Sequence, residues 1–215
     1  NAKGEMILGM ANMDNYEKSN NFDKFLNFRN KIIIFDLNFA YKNIKSLILK
    51  YSRFNTICVC GTSGHKIYKI KNLLKNIDIL LLNKQESSNL TNKKDIVKAL
   101  KFLIKKNKNL TIVITNGKNT VNAYNNGIIY NCKPPKTKVQ NENKAGDVMS
   151  AFFYYFYFQF IDFSKILSKS IVAGTLQVSG YYANKNIFFK KINRLSKNIK
   201  VSSKKYYGWF IYYNK

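Results

Sequence analysis

Short apolar runs of strand length alternate with segments of helical period along most of this chain, and that alternation restricts its fold more than any other feature. Lys31-Ile32-Ile33-Ile34-Phe35-Asp36 is a continuous apolar run ending in a carboxylate, the pattern of a strand covered on both faces. A helix is expected over residues 40–51, a strand over 56–60, a helix over 66–74 and a strand over 77–82. Residues 93–107 read as a helix with Ile96, Leu100, Leu103 and Ile104 on one side, and residues 110–115 as the next strand. Residues 121–124 and 128–131 form a hairpin around Asn125-Asn126-Gly127, a strong turn signal. Two long helices follow, over 146–160 and 165–180. Strands alternating with helices imply an α/β fold whose sheet is mostly parallel, with right-handed crossovers. Upstream, residues 4–10 read as a short strand and 19–30 as a short amphipathic helix. Residues 190–205 read as the least globular stretch, with a closing strand over 206–213. The expected division is therefore an α/β domain over residues 1–189 and a basic, aromatic tail over 190–215.

At 215 residues the chain can bury one sizeable core. It is 46% hydrophobic, which excludes a disordered class. Its 37 Lys and Arg against 11 Asp and Glu give a net charge of +26. Such a chain repels itself unless an anion accompanies it, and nucleic acid is the first candidate partner. A Lys- and Asn-rich composition also follows from A/T-rich coding alone. No acidic residue follows Asp162, whereas Lys190, Lys191, Arg194, Lys197, Lys200, Lys204 and Lys205 do. These seven are the candidate RNA contacts, with a solvated surface as the alternative reading. Cys58, Cys60 and Cys132 lack zinc spacing and are odd in number, which fits unpaired thiols in a reducing intracellular compartment, mitochondrial or another organelle included. His65 is the only histidine, so neither a histidine-based metal site nor a Ser-His-Asp triad is expected. The apolar stretch 151–163 is too short to span a bilayer, so no membrane partner is expected.

In open α/β sheets ligands bind beyond the carboxyl ends of the strands. Five places in this sequence meet that condition. Asp36 and Asn38 end the first apolar run. Gly61-Thr62-Ser63-Gly64-His65-Lys66 offers hydroxyls and a cation for a phosphate or a sugar, with Ser63 alternatively a helix cap. Asn83 and Glu86 stand three apart after the next strand, where Glu86 suits either a water-linked Mg²⁺ or the charge of a first helical turn. Thr115-Asn116-Gly117 is a strand-end turn. Lys144-Ala145-Gly146-Asp147 is a small-residue turn opening a helix, with a carboxylate in its first turn. Free N–H groups at a helix start attract phosphate oxygens, and a nearby carboxylate takes a proton from an attacking hydroxyl. Asp147 alone reads equally as a cap.

The order of these five resembles the ribokinase-like (PfkB) sugar kinases, and within them the pseudouridine kinases. Gly9-Met10-Ala11-Asn12-Met13-Asp14 looks like their Ala-Asp-Met-Asp region, and Ile34 to Asn38 like their Leu-Asp-x-Asn-Leu strand end. Thr62-Ser63 followed by Lys66 is similar to their Pro-Thr-Ser-x-x-Lys loop, Asn83 and Glu86 to Asn-x-x-Glu, and Thr115 and Gly117 to Thr-x-Gly. Residues 141–147 resemble Asp-Thr-x-Gly-Ala-Gly-Asp, with Asn141 for the first Asp and Lys144 for the first Gly. The resemblance covers about residues 4–180. It implies a three-layer α/β/α fold with the N-terminal part and lid incomplete. It also implies Asp147 as base for a sugar 5′-hydroxyl, the N–H groups of Ala145, Gly146 and Asp147 as anion hole, Lys144 beside the phosphate, Asn83, Glu86, Thr115 and Gly117 on the nucleotide and Mg²⁺ side, and Asp36, Asn38, Thr62, Ser63 and Lys66 on the substrate side.

Two functions follow. One is a degenerate kinase fold serving as a basic, RNA-binding component of a ribonucleoprotein such as an organellar ribosome, with rRNA and neighbouring proteins as partners and no cofactor. Tail aromatics Tyr206, Tyr207, Trp209, Tyr212 and Tyr213 would stack on bases or, alternatively, pack in a closing strand. The other is an active pseudouridine or ribonucleoside kinase using ATP and Mg²⁺, its missing front part supplied by a second chain. The Lys144 replacement and the charge favour the first.

Overall fold

The computed structural model describes residues 28–181 and 184–207. The strand and helix expected over 4–10 and 19–30, the 9–14 match and the aromatics beyond Tyr207 lie outside the described residues, except for residues 28–30.

Seven strands form one sheet in sequence order. β1 (Ile32–Phe35), β2 (Thr56–Cys60), β3 (Ile79–Asn83) and β4 (Thr111–Thr115) are parallel neighbours. β5 (Val121–Asn125), β6 (Ile128–Cys132) and β7 (Val201–Lys205) continue the sheet with antiparallel pairing. The sheet is therefore mixed: the mostly parallel expectation holds as far as β4. Asn126 and Gly127 both take positive φ, 46° and 78°, and make a two-residue hairpin turn.

One face of the sheet carries Ile57, Val59, Leu80, Leu82, Ile112 and Ile114 against α1 (Tyr41–Tyr51), α2 (Lys84–Thr91) and α3 (Ile96–Lys106). The other carries Cys58, Ile79, Leu81, Val113 and Ala123 against α4 (Ala145–Tyr157), α5 (Phe163–Val178) and α6 (Lys185–Ser196). Each fully buried Leu or Ile contributes about 1.5–3 kcal/mol, so β2 and β3, with residues in both clusters, anchor both layers.

Several expectations change. Residues 66–74 do not form an α-helix but fall into two 3-10 turns, Ile67–Ile70 and Leu74–Asn76. The buried Ile67, Ile70 and Leu73 are three apart, the step of a 3-10 turn. Helix α2 was expected only through the alternative reading of Glu86 as first-turn charge, because Leu90 is its only large apolar residue and gives no helical period. Its start is fixed instead by a capping box between Asn83 and Glu86. Among the described residues β1 is not covered on both faces: Ile32 and Ile34 are 46% and 51% exposed on the side that carries Cys58 in β2. The described helices of that layer pack farther along the sheet. Finally, residues 190–205 are built into the fold. They hold the second half of α6, with Ile192 fully buried, and β7, so residue 190 falls inside a helix. β7 at Val201–Lys205 is the last strand among the described residues; of the closing strand expected over 206–213 only residues 206 and 207 are described, and neither is in a strand. Tyr206 still donates its N–H to Gly127 O at 2.7 Å and sets its ring edge-on to Tyr124.

Candidate active site at the carboxyl ends of the strands

Strands β1 to β4 all end on one side of the sheet, and the loops that leave them are linked by side chains. Asp36 Oδ1 accepts from Asn38 N at 2.8 Å and shapes the turn after β1. Thr62 Oγ1, after β2, accepts from Leu37 N at 2.9 Å. Lys66 Nζ donates to Asn38 Oδ1 at 2.9 Å. Asp36, Asn38, Thr62 and Lys66 thus lie in one two-loop unit. The hydroxyl of Ser63 caps nothing: its carbonyl receives the N–H of Lys66 and Ile67. Beneath the unit Lys69 is buried, and its Nζ donates to Leu37 O at 3.0 Å and Phe39 O at 2.7 Å. Lys69 was not a sequence candidate. Its lysine-among-isoleucines setting, Tyr68-Lys69-Ile70, gave no signal of burial.

Asn83 and Glu86 are the two halves of the α2 capping box: Glu86 N donates to Asn83 Oδ1 at 2.9 Å, and Asn83 N to Glu86 Oε2 at 2.8 Å. Glu86 is 3% exposed, and its carboxylate lies over Gly61, where a side-chain carbon would collide with it. Burial pushes the Glu86 carboxyl above the ordinary glutamate range, and the Asn83 N–H pulls it partly back. Glu86 is committed to the cap, and among the described residues no three metal-ligating side chains come together. Thr115 Oγ1 reaches back to Leu82 O at 3.4 Å, and Gly117 turns with φ 54° into open space.

The fifth strand-end element is the start of α4. Lys144 is its N-cap at φ 63°, ψ 3°, in the left-handed region where glycine is at ease and a lysine is strained. The turn required by the sequence pattern is therefore made without the glycine. No side chain caps α4, whereas Asn83, Asp95, Asp162 and Asn184 cap α2, α3, α5 and α6. Ala145 N donates to Glu142 O at 3.3 Å, a bond that competes with its expected place in the anion hole. Gly146 and Asp147 keep the first-turn N–H groups, and the space beside the Gly146 Cα is open. Asp147 is exposed. The loop ahead of the turn is pinned to the end of α5 by Gln140 N and Asn141 N on Val178 O, at 2.9 and 3.2 Å.

One group connects these elements. Cys60, last residue of β2, meets Tyr154 OH at 3.2 Å. Burial raises the Cys60 pKa; hydrogen bonds from Tyr154 and Ser150 lower it, and the charges of Asp147 and Glu86 raise it again. The Tyr154 hydroxyl is raised as well, by burial first and then by Cys60 and Cys58. Asp147, Ser150 and Tyr154 are spaced three and four apart, on one side of α4. That spacing was the available signal for Ser150 and Tyr154, which the sequence reading missed.

The basic candidates lie elsewhere. Lys190 and Arg194 are exposed on α6, Lys191 Nζ sits 3.5 Å from the centre of the Tyr181 ring, and Lys200, Lys204 and Lys205 are exposed around β7. Lys204 and Lys205 are on the sheet edge, where lysine also discourages strand pairing with another chain. Lys197 faces a groove between α5 and α6. Among the described residues no helix is long and apolar enough to cross a membrane, and all three cysteines are free.

Comparison with known proteins agrees with this geometry. A carbohydrate kinase from Agrobacterium tumefaciens superposes with a TM-score of 0.66 at 21% identity, over 80% of this chain and 56% of its own. Phosphofructokinase-2 from Escherichia coli, in complex with substrates and products, gives 0.64 at 17% identity, over 77% and 57%. Adenosine kinase from Trypanosoma brucei brucei gives 0.62 at 14%, over 69% and 52%. The chain thus spans little more than half the length of these structures. No curated protein sequence matches it. The family model for pfkB family carbohydrate kinases matches residues 46–187, well over half the chain, from the middle of α1 to the start of α6. With the strand ends, the uncapped α4 and Asp147 arranged as described, the chain belongs to the pfkB family of carbohydrate kinases.

Proposed function

We propose that this chain carries the phosphate-handling half of an ATP-dependent kinase that phosphorylates a sugar or nucleoside hydroxyl, pseudouridine among the substrates. The observation that carries the reading is the start of α4. Lys144 holds the left-handed turn, no side chain caps the helix, and Asp147 is exposed in the first turn. The N–H groups of Gly146 and Asp147, at the positive end of the helix dipole, bind the oxygens of the transferring γ-phosphate. Asp147 accepts the hydroxyl proton as the new O–P bond forms and the bond to ADP breaks. Lys144 adds a cation beside the anion. ATP enters as substrate with its own Mg²⁺, and Glu86 acts structurally, holding α2 at the site's edge. Asp36, Asn38, Thr62 and Lys66 stand on the side where the sugar is bound, with Thr115 and Gly117 toward the nucleotide.

The test is ATP-dependent phosphorylation of pseudouridine and related nucleosides by the purified chain. Product whose formation Asp147→Asn abolishes supports the reading. Product that Asp147→Asn leaves unchanged contradicts it.

A second reading is a basic, RNA-binding component of a ribonucleoprotein, an organellar ribosome included. The observation in its favour is the net charge of +26, with no carboxylate after Asp162. Salt-sensitive RNA binding without turnover is its expected signature.

A further inference from the structure

A groove of about 570 Å³ runs between the first two turns of α5 and the end of α6, closed below by Ile199 and Val201. Lys165, Lys169 and Lys197 line it together with Ser164 and Asn193, and its lining contains no carboxylate. The nearest acidic residue in sequence, Asp162, is turned to its own helix, where it accepts from Lys165 N at 3.2 Å. Lys169 also lies over the Phe156 ring, 4.9 Å from its centre. The groove is separate from the strand-end site. The loop before Asp147 is tied to Val178, and Lys165 lies thirteen residues earlier on α5, about 20 Å along the helix axis.

A second, independent feature stands just ahead of the groove-lining Ser164 in sequence. Phe160 stands four residues before Ser164, in the turn between α4 and α5. It is 94% exposed and holds φ 55°, a left-handed conformation that a phenylalanine rarely adopts. The turn thus presents an exposed aromatic ring four residues ahead of the first residue that lines the groove. Cations track a phosphate backbone, and a bare ring stacks a base.

We infer that this groove is a binding site for single-stranded RNA, with Lys165, Lys169 and Lys197 on the phosphates and Phe160 stacking a base. The inference rests on the RNA-binding reading and gives it a location. Of the seven basic candidates from the sequence, only Lys197 lines the groove.

The experiment is fluorescence anisotropy with labelled oligouridylate across a salt series. Lys165→Gln, Lys169→Gln and Lys197→Gln together are compared with a charge-matched triple variant at exposed positions, Lys94→Gln two residues ahead of α3 and Lys98→Gln and Lys105→Gln on it. Each lysine–phosphate contact on a single strand contributes about 0.7 to the slope of log K against log salt. The groove triple is therefore expected to flatten that slope by about 2 and the control triple to leave it nearly unchanged. Phe160→Ala is expected to weaken binding by about tenfold with the slope intact, as loss of one stacked base does. Equal effects of the two triples overturn the groove while general RNA binding stands. No RNA binding by the unmodified chain overturns both. Neither triple touches the strand-end site, so the kinase reading is judged separately.

Discussion

Lys144→Gly tests whether the α4 turn is strained in the way its dihedral angles state. A lysine at φ 63° occupies the left-handed region, which costs an L-residue about 1–2 kcal/mol. Lysine also places a cation at the positive end of α4, a further penalty of about 0.3–1 kcal/mol where exposed. Glycine removes both but frees the unfolded chain, which returns about 0.4–1 kcal/mol. The net expectation is stabilisation by about 1 kcal/mol. For a chain of 215 residues that is a rise of about 2–4 °C in Tm. Differential scanning calorimetry on the unmodified chain, Lys144→Gly and Lys144→Ala measures it. Alanine removes the charge but keeps the Cβ, so it must gain less than glycine, or lose. An alanine variant as stable as the glycine variant, or a glycine variant less stable than the parent, refutes the strain argument.

Two other perturbations test the supports of the site. Glu86 has its pKa raised by burial, so the protonated form is favoured in the folded state. Its contribution is fully present below the ordinary glutamate value and is lost as pH rises through the raised one. Glu86→Gln keeps an acceptor for Asn83 N, so urea unfolding across pH 4–8 should show a flatter profile and no loss at neutral pH; a large loss at neutral pH contradicts this. Lys69→Met leaves Leu37 O and Phe39 O without their buried donor, and about 2–4 kcal/mol of stability should go with it. A loss below about 0.5 kcal/mol means that Lys69 does not hold the Asp36–Asn38 loop.

What the sequence made legible follows the physics of each element. β2 falls where it was expected, and the hairpin lies within one residue of its expected bounds, because a buried apolar run and an Asn-Gly turn are local signals. The extent of α2 was hidden because its own residues are polar; of the two readings left open for Glu86, the first-turn one matches the capping box that starts the helix. β7 was hidden because Val201-Ser202-Ser203-Lys204-Lys205 has no alternation; only its ladder with β6 makes it a strand. β1 was expected to be covered because its run is wholly apolar, but cover depends on residues distant in sequence, which a local run does not report. At the site, Asp147 and the turn before it were legible from residue types. The convergence of Cys60, Ser150 and Tyr154 beside Asp147 was not, since β2 and α4 are separated by more than eighty residues. Lys144 was read as a replacement for glycine. That it keeps the glycine's conformation is visible only in its φ.

The most direct test of the account is nucleoside phosphorylation followed by ³¹P NMR in one preparation series: the unmodified chain, Asp147→Asn and the triple groove variant. The account predicts a new phosphomonoester signal, formed with ADP, for the unmodified chain and the groove variant and none for Asp147→Asn. A phosphomonoester formed equally by Asp147→Asn, or no phosphomonoester from any of the three, contradicts it.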